Sequence, residues 1–137
     1  MKLINMVMTM SIVWGVNVNA SVQESGAALF DTKCSMCHLK SRPVDISSIS
    51  APPIPGVMRH VKAAYPLKED AVNFIVAYAL DPKAENAVCL PQKIKRFGLM
   101  PSQKGSVSKE ELAIIAEWLF ERYAFQGKQG AGRGPMR

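Results

Sequence analysis

Three observations predict an all-α fold of about four to five short helices. Apolar residues recur at helical spacing at Ala71, Phe74, Ile75 and Tyr78, and again at Leu112, Ile115, Ala116, Leu119 and Tyr123. Clean alternation of apolar and polar residues, the mark of a half-buried strand, is absent. Ser108 with Glu111 forms a capping box just ahead of the second apolar stripe.

The elements follow from start and stop signals. The first helix is predicted over residues 22–37, with Ser21 as its N-cap. From residue 40 to 55 the composition turns to Ser, Pro and Ile, and Pro43, Pro52, Pro53 and Pro55 punctuate a long irregular loop. A short helix is expected over residues 56–63, stopped before Pro66, and another over 67–80. Asp81-Pro82 closes the latter, because the residue before proline is pushed out of the helical region. Residues 91–97 form a short turn of helix, interrupted by Gly98-Leu99-Met100-Pro101. The last helix begins after Ser108.

The N-terminus reads as a secretory signal peptide over residues 1–20. Lys2 gives the positive start, Met6 to Val16 is uncharged and mostly apolar, and Val18-Asn19-Ala20 ends in small residues. The apolar run is short for a membrane span, and no cysteine near the cut points to a lipid anchor. Removing those 20 residues from 137 leaves 117, enough for one domain over residues 21–125 and a basic, Gly-rich tail over 126–137. Loss of Lys2 takes the formal charge from +6 to +5, too small and too scattered an excess for nucleic acid.

The chemistry concentrates in Cys34-Ser35-Met36-Cys37-His38. Two thiols three apart on a helix, with an imidazole four after the first, share one face. The thiols can add across the vinyl groups of haem while the imidazole ligates the iron, and C-x-x-C-H is read as c-type haem attachment. Two other uses of a C-x-x-C pair fit this chain less well. A zinc site wants four ligands, and beyond these three the chain offers only Cys89 and His60, not closely paired. A thioredoxin-like dithiol wants a strand ahead of it, whereas residues 23–33 read as helix. One covalent haem c on Cys34 and Cys37, with His38 as axial ligand, is therefore expected. Haem attachment of this kind happens outside the cytoplasm, which agrees with export to a periplasm.

The sixth ligand decides what such a group can do. Met100, in the loop before Pro101, is the leading candidate: a thioether raises the reduction potential, and proline stiffens the loop. Met58 and His60 are the alternatives, and a bis-histidine site would lower the potential.

These residues resemble a class I, mitochondrial-type c-type cytochrome with one haem, over nearly the whole mature part. Gly26 and Phe30 precede the C-x-x-C-H run at the family's spacing. Ala51-Pro52-Pro53-Ile54-Pro55-Gly56-Val57 is similar to its Gly-Pro-x-Leu-x-Gly stretch, with Ala51 in place of the glycine. Met100-Pro101, followed by the last helix with Trp118 in the aromatic position, is similar to its closing segment. The resemblance implies a cytochrome c-like fold wrapped around one haem. It also implies a Pro52 carbonyl that accepts a hydrogen bond from the His38 ring, and a helix crossing made by Gly26, Phe30 and Trp118.

The expected function is one-electron transfer rather than catalysis, either as a free carrier or as the haem subunit of a larger complex. Partners would be redox proteins such as a periplasmic dehydrogenase or a terminal oxidase. Lys33, Lys40, Lys93, Lys95 and Arg96 are placed to form a rim for an acidic docking surface. The alternative is a haem enzyme or gas sensor with an open or displaceable sixth position. Cys89 has no place in the family's pattern; a buried apolar role, a cross-link and sulfur chemistry stay open for it.

Overall fold

The computed structural model describes residues 18–123. Over that span the chain is all-α, with five α-helices, one 3₁₀ turn and no strand among the described residues. Helix α1 spans Val18–Lys33, α2 Ile54–Ala64, α3 Lys68–Leu80, α4 Pro91–Phe97 and α5 Lys109–Arg122. The 3₁₀ turn, Ala84–Asn86, lies in the segment after Asp81-Pro82 where no element was expected. Residues 1–17 of the expected signal peptide and the tail over 126–137 lie outside the described residues. None of the described helices is long and apolar enough to cross a membrane.

Helix α5 is the spine. Its start is fixed as the capping box requires: Ser108 Oγ accepts from Glu111 N at 3.1 Å, and Glu111 Oε2 accepts from Ser108 N at 2.8 Å. Its apolar stripe, Leu112, Ile115, Ala116, Trp118 and Leu119, is buried against α1 and α3, with α2 touching it more lightly. Phe30 and Trp118 meet with ring centroids 5.3 Å apart. That approach needs Gly26, because a Cβ there would stand 2.3 Å from Trp118 Cβ and 3.0 Å from the Ile114 carbonyl.

The ends of the elements differ from expectation in instructive ways. Helix α1 starts at Val18, so Ser21 lies inside it rather than capping it. It also stops at Lys33 instead of Cys37. The attachment residues continue as hydrogen-bonded turns, with Cys37 N and His38 N both donating to Cys34 O at 3.1 and 2.9 Å. The side-chain hydroxyls of Thr32 and Ser35 bond back to Ala28 O and Asp31 O, each at 2.6 Å, competing with a regular ladder. Helix α2 starts at Ile54, two residues early, since Pro55 is tolerated in a first helical turn whose N–H groups have no ladder partner.

Two loops carry the conspicuous residues, and both are tied to the helical frame. The loop over 39–53 is closed by Ile54 N donating to Leu39 O at 2.9 Å, and Tyr123 Oη reaches Lys40 O at 2.8 Å. The methionine loop is fastened to the end of α3 by Gln103 N to Ala79 O at 2.9 Å and Ser102 Oγ to Leu80 O at 2.6 Å. It leaves α4 through Gly98, whose φ of 76° and ψ of 179° lie in a region open essentially to glycine alone.

Candidate functional site

An apolar cleft runs between the helices and both loops. Its walls come from the core, including Phe30, Met58, Val61, Ile115 and Leu119, and from Phe74, Ile75 and Tyr78 of α3. Counted to its open mouth it holds about 1030 Å³. Cys34, His38, Pro52 and Met100 line it. A smaller opening beside it, about 640 Å³, is lined by Cys34, Cys37, His38, Pro52 and Met100 together. The five residues singled out in the sequence, spread over 67 positions, therefore converge on one place.

His38 is oriented by its backbone neighbour. Nδ1 lies 2.9 Å from the Pro52 carbonyl oxygen. A carbonyl can only accept, so Nδ1 carries the proton and Nε2 keeps its lone pair. Such a bond fixes the ring and makes the free nitrogen a better metal ligand. Burial lowers the His38 pKa, against the opposing pull of the Pro52 bond, which favours the neutral, ligating form.

Cys34 is unlike the attacking thiol of a redox dithiol. Burial, with the neighbouring Cys37 as a smaller cause, pushes Cys34 up to about 11. An attacking thiol needs a depressed value and a thiolate. Cys34 is half-buried toward the cleft, whereas Cys37 is exposed. No group of three or more His, Cys, Asp or Glu among the described residues is placed to hold a metal ion.

The alternatives to Met100 separate in space. Met100 lines both openings that contain His38, and Met58 lines the apolar cleft while being 1% exposed in the core. His60 lines neither. It faces a third cavity on the other side of Pro52 and Val57, about 1930 Å³ to its mouth, which Cys89 and Lys93 share with the apolar cleft. Five cations line that chamber, Arg42, Arg59, Lys93, Arg96 and Arg122, and no carboxylate does. Sequence reasoning did not group them, since only the fold brings residue 42 beside residues 59, 93 and 122.

The expected lysine rim is only partly assembled. Lys40 is paired with Asp31 at 2.6 Å, and Lys33 donates to Ser106 O at 3.2 Å. Lys93 and Arg96 belong to the basic chamber. Cys89 is half-buried where cleft and chamber meet, and burial raises its pKa against the pull of Lys93.

The chain is 30% identical over 125 residues to a protein of Aquifex aeolicus (strain VF5) described as uncharacterized, covering 82% of each. The two belong to one family. No protein-family model matches the chain, and no solved structure does.

The chamber and the cleft together describe what the site of this chain can accept. An apolar slot walled by aromatic and aliphatic side chains suits a flat, largely apolar ring system. A cationic chamber on the same wall suits anionic groups on that ring's edge. One soft thioether, one imidazole and two thiols at the slot's margin form the donor set. This set fits a haem c.

Proposed function

We propose that this chain is a monohaem c-type electron carrier of the class I type, exported to a periplasm. The observation that carries the reading is the joint placement of Cys34, Cys37, His38, Pro52 and Met100 at the mouth of one apolar cleft, with His38 held by Pro52. A bound haem supplies a one-electron iron couple. The chain's own contributions are separable. Cys34 and Cys37 provide the thiols for two thioether links, each formed by addition of S–H across a vinyl double bond. His38 presents Nε2 as a ligand, and Met100 offers a neutral thioether from a loop anchored at Ala79 and Leu80. The core side chains that wall the cleft exclude water and hold a low-dielectric surrounding, which keeps reorganisation small.

Transfer then needs only an exposed edge and a partner. Cys37 and Met36 are exposed, Met36 at 92%, so the attachment side of the site faces solvent. No substrate is bound or transformed in this reading. Natural partners are periplasmic dehydrogenases and terminal oxidases.

Met100→Ala tests the ligand set. The variant is expected to keep its covalent haem, to bind carbon monoxide when reduced, and to show a lower reduction potential. An unchanged spectrum and potential would remove Met100 from the iron and shift the assignment to Met58 or His60.

A further inference from the structure

We infer that Ser102 is a positioning residue for the sixth ligand: it clamps the methionine loop to the end of α3 and so sets how firmly Met100 is held at the cleft. The clamp starts from the way that helix ends. An α-helix leaves its last four carbonyls without a ladder partner. Asp81 N takes the first of these, Ala77 O, at 3.0 Å. The next residue, Pro82, has no N–H to give. The last two carbonyls go to the methionine loop, Ala79 O to Gln103 N at 2.9 Å and Leu80 O to the Ser102 hydroxyl at 2.6 Å. The Asp81-Pro82 pair that closes α3 thus leaves free the acceptors on which the loop rests.

The hydroxyl of Ser102 is used on both sides. Its proton goes to Leu80 O, and a lone pair accepts from Lys104 N at 3.3 Å. Gln103 Nε2 closes the turn on Pro101 O at 2.8 Å. On the other side of the methionine, Gly98 N donates to Ile94 O at 2.8 Å, at the end of α4. Met100 is therefore the middle of a short arch, residues 98–102, with both feet tied to helix ends. Ser102 lines neither the cleft nor the opening beside it, whereas Met100 lines both. Its influence on the site passes through the backbone that carries Met100. The helix it grips also supplies Phe74, Ile75 and Tyr78 to the cleft wall, so the two bonds register Met100 against that wall. One exposed hydroxyl bond contributes little to the fold as a whole, but all of its value acts on this loop. The inference deepens the proposed function and rests on it for Met100 being an iron ligand.

The test uses the full chain matured with haem and measures how tightly free imidazole displaces the sixth ligand from ferric iron, read by absorption. Ser102→Ala should bind imidazole about three-fold more tightly or better, the value of one hydrogen bond. Ser102→Thr, which restores the hydroxyl, should return to the native affinity. The control is Ala116→Gly, which weakens α5 from within at a buried position lining neither opening. Urea unfolding should show it to be at least as destabilising as Ser102→Ala, yet its imidazole affinity should stay native. An unchanged affinity in Ser102→Ala would overturn the inference. So would an equal gain in Ala116→Gly, which would reduce the effect to global stability, or a Thr variant that behaves as the Ala variant does. Met100→Ala, measured alongside, separates the two levels. If it leaves the imidazole affinity native, Met100 is not the ligand, and the ligand reading falls and takes this inference with it. If Met100→Ala binds imidazole far more tightly while Ser102→Ala does not, this inference alone falls.

Discussion

The apolar cleft and the basic chamber share a wall at Pro52, Val57, Cys89 and Lys93, yet they are built on opposite principles. The cleft is an extension of the core: Phe30, Ile115 and Leu119 line it and also hold α1, α3 and α5 together. Its polar donors are neutral, with His38 pushed down and Cys34 pushed up by the same burial. The chamber gathers exposed cations on elements already stabilised by other contacts. Side chains in the cleft therefore carry the fold and line the site at once, whereas the charged side chains of the chamber carry little of the fold. Substitutions should separate the two regions sharply.

The largest expected effect is in the cleft. Phe30 is 1% exposed and packs on Trp118, so Phe30→Ala should cost about 3–5 kcal/mol by loss of burial and creation of a cavity. Urea unfolding measures it, and a cost near that of an exposed site would contradict a shared core and cleft. The spine's cap is worth less. Ser108→Ala removes one side of the capping box and should cost about 1 kcal/mol in the same assay.

The smallest effect on stability should come from the chamber. Arg59→Gln is expected to change unfolding by less than about 0.5 kcal/mol, since Arg59 is exposed and carries no ion pair. It should still move His60. Burial is the main cause of the lowered His60 pKa and stays in the variant, but the Arg59 contribution goes, so the value should rise toward the ordinary 6.5. Proton resonance of the His60 ring against pH reads this. An unmoved titration would mean that the chamber cations do not act on one another.

The sequence disclosed these two regions unequally. The cleft's donors were legible because C-x-x-C-H is a short local motif, and because Met100-Pro101 sits in a loop marked by Gly98. Helices α3, α4 and α5 were legible from Asp81-Pro82, Pro91 and the Ser108 capping box, all local signals. The boundaries of α1 were not. A reading of residues 18–20 as the end of a leader placed its start too late. The end of α1 at Lys33 is accompanied by the Thr32 and Ser35 hydroxyls bonding backward, which no periodicity records. The chamber was illegible for a deeper reason: Arg42, Arg59 and Arg122 are far apart in the chain, and only the packing of α2 and the loop beside α5 brings them to one concavity. Lys40 illustrates the converse, a surface lysine that counted as a docking charge until the fold set it against Asp31.

The most direct test of the central claim is absorption spectroscopy of the full chain expressed with a c-type maturation system, with a haem stain of the denatured protein beside it. Haem that stays on the denatured chain, together with the weak red band of methionine on ferric iron, is the predicted result. A chain that matures without any attached haem would contradict the account and return Cys34 and Cys37 to dithiol or metal chemistry.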